Sequence, residues 1–282
     1  MNLKFELPPS GFKRLFYDIE TSYCIGSFWR PSHKARINFQ DIIHESAIIC
    51  ICWKWEGQET QFEAVWDKGD DKSVIERFTK AALEADQIVS HNGKRFDDKW
   101  VRTRAMVHGI PFPTKLESYD TCAKARSHFN LQSNRLDYFG KRFFDGGKNP
   151  MSKEDWDYIS HPLVPYWYGH EVDLPDTYQT ALDKMVTYCH QDIKLLEDTF
   201  HLMQPYVSNE SHVGAHTGFG RYSCPNCAND KPHHSKKRTT KAGTVRHQLQ
   251  CPDCKTYYTV SNKVWEEKLK ADFNEKMAKS GG

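Results

Sequence analysis

Two carboxylates close the first predicted strand of the chain. The apolar run 15–17 is typical of a buried strand, and Asp18 and Glu20 follow it with one apolar residue between them. Because side chains alternate along a strand, both acids would point to the same face. Like charges on one face repel, and a divalent cation between them would remove that cost. The alternative is that the strand has already ended and that both acids lie in solvent.

Further acids follow other predicted elements. Asp97 comes after the short strand 88–90 and its turn, and the neighbouring Asp98 offers the same chemistry. Asp192 lies on a long predicted helix, 176–203, whose apolar stripe recurs every three or four residues. Tyr188 lies one turn before Asp192 and borders the same stripe. A carboxylate facing a sheet is costly unless it is paired, so we expect these acids to meet.

The order of the elements predicts an α/β fold. A hairpin, 47–55 with 61–66, is followed by short strands that alternate with helical segments, which indicates a sheet of mixed direction. Ligands of such sheets bind at the carboxyl ends of strands. Asp18, Glu20 and Asn92 all lie at such ends in the predicted arrangement. An aromatic-rich segment, 150–175, could cover the site as a lid or pack as an irregular insertion.

Three motifs in this order resemble the DEDD 3′-to-5′ exonucleases of the RNase H-like fold. They are acid-x-acid at 18–20, Asn-Gly-x-x-Phe-Asp at 92–97 and Tyr-x-x-x-Asp at 188–192, and the match covers roughly the first two hundred residues. Thr187 stands where the histidine branch of the family has its histidine, so the chain looks like the tyrosine branch, DEDDy. That branch is shared with the proofreading domains of DNA polymerases. The resemblance implies an RNase H-like mixed β-sheet flanked by helices.

The same resemblance implies a site with two Mg²⁺ or Mn²⁺ ions. Hard oxygen ligands suit these ions, and a pair of them can neutralise both the attacking and the leaving oxygen of a phosphodiester. By resemblance Asp18 bridges the ions, Glu20 and Asp192 hold the ion on the nucleophile side, and Asp97 acts through water. Tyr188 would orient the attacking water, although a tyrosine at this position could also pack in the core. Asn92 is expected to shape its turn and to contact nucleic acid rather than metal.

Four cysteines near the C-terminus have the spacing of a zinc site. Cys224 and Cys227 form one Cys-x-x-Cys pair, and Cys251 and Cys254 form the second. Four thiolates fill a tetrahedral shell, so the site would be closed and structural, with one Zn²⁺ in a zinc ribbon. The other five cysteines are scattered, and this pattern favours a reducing compartment, the cytoplasm, over a disulfide framework.

The segment between the two pairs is basic. From Asn209 onward the chain has 13 Lys and Arg against 7 Asp and Glu, whereas the chain as a whole is nearly balanced at +2. This asymmetry indicates a polyanion partner. The residues expected to contact nucleic acid here are Lys236, Lys237, Arg238, Lys241 and Arg246, with nearby tyrosines able to stack on bases. Protein docking or plain solvation of the segment are the alternatives.

The predicted organisation is a nuclease domain at 1–206, a linker at 207–220, a zinc ribbon at 221–262 and a short helical or frayed tail at 263–282. No stretch reaches the ~18 apolar residues of a membrane span, and no secretory signal is evident. The sequence therefore predicts a free-standing 3′-to-5′ exonuclease that releases mononucleotides from nucleic acid, with DNA preferred over RNA by family analogy. Such an enzyme could be encoded by a phage and act in the host cytoplasm. The competing functions are a structure-selective endonuclease with the same site and a catalytically silent adaptor that binds nucleic acid.

Overall fold

The computed structural model describes residues 11–29, 38–144, 146 and 151–280. The first ten residues of the predicted nuclease domain, its segment 30–37 and the last two residues of the chain lie outside this range. The described chain forms two compact units. Within the described residues, one unit lies in the ranges 14–123 and 131–197, and the other comprises residues 11–13, 124–130 and 198–280. The predicted domain bounds stay predictions.

The first unit contains a five-stranded mixed sheet flanked by helices. Its elements up to the first helix are β1 (Arg14–Thr21), β2 (Ile25–Gly26), β3 (Ile42–His44), β4 (Ile48–Trp55), β5 (Gln61–Val65) and α1 (Lys72–Glu84). There follow β6 (Gln87–Ser90), α2 (Asp97–Val107), β7 (Glu117–Asp120), α3 (Thr121–His128), α4 (Leu136–Phe143), α5 (Lys153–Ser160), α6 (Val164–Trp167) and α7 (Asp176–Met203). Residues 124–128 of α3 and 198–203 of α7 belong to the second unit. The predicted α/β architecture with a mixed sheet is confirmed.

The strand order is β5-β4-β1-β6-β7, with β4 antiparallel to both of its neighbours and β6 parallel to both of its own. The strand β4 is buried because its residues are apolar on both faces, as in the run 48–53. Arg14 begins β1 inside this core, where its guanidinium donates to both carboxylate oxygens of Glu56 at 2.9 and 2.8 Å. The predicted hairpin is formed by β4 and β5.

The strand β1 extends beyond its neighbour β6 at one end of the sheet. This strand pairs with β4 as far as Thr21, but it pairs with β6 only from Arg14 to Phe16. Its last five residues therefore have no strand beside them on the β6 side. The turn after β6 and the start of α2 occupy this position instead.

The aromatic segment after residue 150 packs on the sheet unit. The Trp167 ring stacks on His44 with centroids 3.9 Å apart, and the Trp156 indole donates to the Thr21 carbonyl at 3.3 Å. Lys184 of α7 also donates to Asp155 of α5, at 2.6 Å. These contacts favour the packed insertion over a detached lid.

The second unit contains the four cysteines and a three-stranded antiparallel sheet. Its elements are α8 (Val213–His216), β8 (His233–Thr239), β9 (Val245–Gln250), β10 (Tyr257–Ser261) and α9 (Asn262–Ser280), with strand order β10-β9-β8. Within the predicted linker, Val207 and Val213 are buried, and Val213 packs in a small cluster with Phe12 and Ala228. None of the described helices is long and apolar enough to cross a membrane.

Candidate active site and metal centre

Three of the predicted metal ligands converge in the structure. One carboxylate oxygen from each of Asp18, Glu20 and Asp192 lies within 4.8 Å of the other two. The alternation of β1 places the two acids of that strand on one face, and α7 brings Asp192 to the same face. Asp192 is buried, whereas Asp18 and Glu20 are partly accessible. The prediction that the acids of separate elements meet is therefore confirmed for these three residues.

Burial and like charge dominate the electrostatics of Asp18 in this cluster. Burial raises the pKa of Asp18 well above its usual range, and the Cys189 thiol and the carboxylates of Asp192, Asp97 and Glu20 raise it further. A divalent cation among the three oxygen donors would reverse this effect. The donor set consists of hard carboxylates at a separation that one shared ion can span after small side-chain movements, so the residues fit Mg²⁺ or Mn²⁺.

Asp97 also lies near the end of β1, but it is carried by the start of α2. Its carboxylate lies near enough to the Ile19 backbone, in the part of β1 that β6 does not pair, for that backbone to lower the pKa of Asp97. Burial raises the pKa of Asp97 to about 7, with Asp98 and Asp120 adding to the rise and backbone amides opposing it. Asp97 lies close enough to Asp18 to affect its pKa, but it is not one of the three converging acids.

The neighbouring Asp98 is engaged on the other face of β1. The Tyr17 hydroxyl donates to Asp98 Oδ1 at 2.5 Å, and Tyr17 alternates with Asp18 along the strand. Both acids are buried, so exposure does not separate them. The contact with Tyr17 directs Asp98 away from the carboxylate cluster. This arrangement favours Asp97 as the fourth site acid.

The turn that carries Asn92 is fixed by Asp120. This carboxylate accepts from the backbone amides of Asn92 at 2.9 Å and Lys94 at 3.3 Å, and it also accepts from Ala123 at 2.9 Å. The last bond caps the N-terminus of α3. Asn92 has φ of 72°, and a Cβ at Gly93 would lie 1.8 Å from Ser90 Oγ, so the turn requires glycine there. These constraints set the position of α2 and of Asp97 at its start.

Tyr188 and Asp192 follow one another on α7 at the spacing of one helical turn, and Tyr188 is partly exposed. His190 points elsewhere, because its Nε2 lies 3.1 Å from Glu63 Oε2 on β5. His190 therefore does not take the place that the histidine branch gives to its histidine.

Three thiols line the face that carries the acids, and sequence reasoning did not identify them as a group. Cys50 and Cys52 lie opposite Glu20 and Asp18 in the β1–β4 pairing, and Cys189 comes from α7. Their sulfur atoms lie within 4.8 Å of one another, and all three residues are buried. The two-residue spacing of Cys50 and Cys52 could have indicated a shared strand face, but nothing local connects them to Cys189.

The four C-terminal cysteines are assembled as a second candidate metal centre. One sulfur from each of them lies within 4.8 Å of the others, with Cys224 Sγ 3.5 Å from Cys254 Sγ and Cys227 Sγ 3.4 Å from Cys251 Sγ. These separations are too long for disulfides and suit four ligands around one ion with Zn–S bonds of about 2.3 Å. The four thiols can therefore form a zinc site.

The predicted nucleic-acid residues lie on two different units. Asn92 is in the sheet unit, beside the acids' strand end. Lys236, Lys237 and Arg238 lie on β8, Arg246 lies on β9, and Lys241 lies in the turn between these strands. Every residue of β8 is exposed. The five basic residues do not share one face, as the strand register shows below.

Comparison with known proteins identifies one matching family model. It is described as a "predicted 3'-5' exonuclease related to the exonuclease domain of PolB", and it matches residues 38–146. This range contains Asp97 and its turn, and it excludes Asp18, Glu20, Tyr188 and Asp192. No curated protein matches the chain.

The solved structures that resemble the chain include a family B DNA polymerase from the hyperthermophilic archaeon Pyrobaculum calidifontis. The TM-score is 0.43 and the sequence identity is 15%, over 82% of this chain and 31% of the polymerase chain. The chain thus spans about a third of the polymerase's length.

Proposed function

We propose that this chain is a metal-dependent nuclease that removes nucleotides from the 3′ end of a nucleic acid. The observation that carries the proposal is the convergence of Asp18, Glu20 and Asp192 from two elements, with oxygens within 4.8 Å of one another. The match of residues 38–146 to an exonuclease family supports the same activity from a different part of the chain. DNA is the first substrate to test, because that family is related to the exonuclease domain of PolB.

In this proposal the carboxylates hold two divalent ions, which supply charge neutralisation for the attacking and leaving oxygens of the phosphodiester. Asp18, Glu20 and Asp192 would hold the ions through their converging carboxylate oxygens. Asp97, whose pKa is affected by the Ile19 backbone and which itself raises the pKa of Asp18, would act on them through water. Tyr188 lies one turn from Asp192 and orients the attacking water through its hydroxyl.

Zinc has a separate, structural role in the proposal. Cys224, Cys227, Cys251 and Cys254 bind one Zn²⁺ and hold a zinc ribbon together, because all four positions of a tetrahedral shell are then filled by protein. We place the protein in a reducing compartment such as the cytoplasm, because four of its cysteines are gathered as candidate metal ligands, an arrangement that depends on reduced thiols.

The test uses a 5′-labelled single strand, as DNA and as RNA, with Mg²⁺ or Mn²⁺. We expect a ladder that shortens from the 3′ end, is abolished by EDTA, and is lost in Asp192→Asn. Asp183→Asn is the matched control, since Asp183 is an exposed acid on the same helix and should leave the rate unchanged.

Intact linear strands with either metal, at protein concentrations that give a complete gel shift, would overturn the exonuclease. Cleavage of branched substrates alone would then identify an endonuclease. Binding without any cleavage would identify an adaptor.

A further inference from the structure

One face of the ribbon sheet in the second unit is exposed at most of its residues. The register places Leu249, Tyr258 and Val260 on the inner face, where they pack with the cysteines. The opposite face consists of three rows across the strands, His233–Gln250–Tyr257, Lys236–Gln248–Thr259 and Arg238–Arg246–Ser261. We call these nine residues the outer ribbon face. It carries three permanent cations and no acid.

A β-bulge decides which basic residues belong to this face. The register of β8 against β9 shifts between His234 and Lys236, so His234 lies opposite Leu249 on the inner face, whereas Lys236 lies opposite Gln248 on the outer one. Lys237 lies opposite His247, which is buried, and therefore belongs to the inner side. Of the four basic strand residues expected to contact nucleic acid, three share the outer face and one does not.

The pair Arg238 and Arg246 indicates that a ligand of the outer ribbon face would be anionic. The two residues lie directly opposite each other on neighbouring strands, where like charges destabilise a sheet. Neither guanidinium forms an ion pair with any residue that the structure describes. A phosphate between them would offset the repulsion and could accept paired N–H donors from each guanidinium.

Tyr257 gives the other end of the face an aromatic surface. Its side chain is 50% exposed, and it stands in the first row beside Gln250. The distance along the strand from this row to the arginine row is four residues, or about 14 Å. An exposed ring at one end and a cation pair at the other suit a single strand of nucleic acid. Its unpaired bases can stack on the ring while its phosphates contact the cations. The amides and hydroxyls between them can bond to base edges.

A groove extends this face beyond the edge of β10. Its volume is about 570 Å³, and it is lined by Tyr257, Thr259 and Ser261 together with Arg221 and His212. Arg221 is exposed and adds a fourth cation next to the aromatic row. The outer ribbon face and the groove therefore form one continuous surface of cations, amides and one tyrosine.

We propose that the outer ribbon face binds single-stranded nucleic acid, with Arg238, Arg246 and Lys236 on phosphates and Tyr257 stacked on a base. A flat sheet with an exposed ring fits unpaired bases, whereas a duplex hides its base faces and is read by elements that enter a groove. This inference rests on the proposed function only in naming how the substrate is held. A binding surface on the same chain raises the local concentration of substrate for the acidic site.

The test measures binding of the full, zinc-loaded chain in an Asp192→Asn background, so that the strand is not consumed. Fluorescence anisotropy follows a labelled single strand of about 16 nucleotides, the upper range for one compact single-strand site, over a series of salt concentrations. The variants are Arg238→Gln with Arg246→Gln, and Tyr257→Ala. Lys237→Gln is the matched control, because it removes the same charge from the same strand on the opposite face.

The arginine double variant should weaken binding at least tenfold and lower the log–log salt slope by about 1.4, from about 0.7 per phosphate contact on a single strand. Tyr257→Ala should weaken binding about tenfold without changing the slope, because it removes stacking and not charge. Lys237→Gln should change neither quantity. Zinc content of one ion per chain shows that each variant keeps the ribbon.

Equal losses in Lys237→Gln and in the arginine double variant would overturn the proposal, as would a duplex that binds more tightly than the single strand. The outcome is separable from that of the proposed function. A wild-type chain that degrades nucleic acid while all face variants bind alike rejects the outer ribbon face alone. Face variants that lose binding while the wild type shows no cleavage reject the nuclease alone.

Discussion

The thiol of Cys189 on α7 lies 3.5 Å from the backbone carbonyl oxygen of Asp18 on β1, to which it donates a hydrogen bond. It is also 3.8 Å from Asp18 Oδ2. The contact joins the helix that carries Tyr188 and Asp192 to the strand that carries Asp18 and Glu20. The spacing between the acids of the two elements therefore depends on a small, fully buried side chain.

Enlarging this side chain should separate the acids. Cys189→Leu forces extra methyl groups between α7 and β1, and we expect a loss of about 1–3 kcal/mol in the free energy of unfolding. We also expect Mn²⁺ to bind at least tenfold more weakly, because Asp192 moves away from Asp18. Electron paramagnetic resonance of free Mn²⁺ measures the affinity. Cys189→Ala is the control that keeps the helix in place, and wild-type Mn²⁺ affinity in Cys189→Leu would contradict the argument.

Adjacent acids at the start of α2 should differ in their effect on cleavage. Asp97→Asn removes a charge from the carboxylate cluster, and we expect nuclease activity to fall about 10–100-fold, as for residues that act on a metal through water. Asp98→Asn keeps an oxygen that can accept from Tyr17, so activity should stay within a few-fold of wild type. Single-turnover rates at saturating Mg²⁺ measure both. A larger loss in Asp98→Asn than in Asp97→Asn would reverse the assignment.

The positions of three site acids could be predicted from the sequence, because each follows from the regular spacing of residues within one strand or one helix. Asp18 and Glu20 share a face through strand alternation, and Asp192 borders the apolar stripe of a helix that must face the sheet. The choice between Asp97 and Asp98 could not be made in this way. It depends on how far β1 extends past β6, which is a property of strand pairing and not of either residue.

The faces of the basic residues in the ribbon could not be predicted from the sequence either. A regular period of two would place His234, Lys236 and Arg238 on one face, but the bulge before Lys236 moves His234 to the other side. The sequence therefore indicated the charge of the ribbon without indicating which cations act together. The thiols of Cys50, Cys52 and Cys189 were not grouped for a related reason, since packing alone brings α7 to β4.

Loss of zinc should unfold the ribbon. Binding of a structural ion is coupled to folding, so Cys254→Ser should lower the zinc content of the purified chain and remove hydrogen-exchange protection from β8, β9 and β10. Cys24→Ser is the matched control, because Cys24 is an exposed cysteine outside the cluster. Zinc released by a mercurial reagent and counted with a metal-binding dye measures the stoichiometry. A wild-type chain that releases no zinc would refute the site.

Asp71 should account for part of the pH dependence of stability. Its carboxylate accepts from Arg104 Nε at 2.7 Å, from the Ile48 amide at 2.9 Å and lies 2.6 Å from His108 Nε2. Burial acts to raise the pKa of Asp71, but the hydrogen bonds from Arg104, Ile48 and His108 outweigh it, so the pKa lies below its usual value.

A lowered folded-state pKa stabilises the protein above the unfolded-state pKa of about 3.9, and this contribution is lost as the pH falls through the folded-state value. Asp71→Asn should therefore cost about 3 kcal/mol at pH 7, because it leaves Arg104 buried without its charge partner, and the variant should lose less stability than wild type on acidification. Urea unfolding followed by tryptophan fluorescence at neutral and acidic pH measures both effects. Asp70→Asn, which changes an exposed neighbouring acid, should leave the pH profile unaltered. Parallel acid profiles for wild type and Asp71→Asn would show that the stabilisation does not come from this carboxylate.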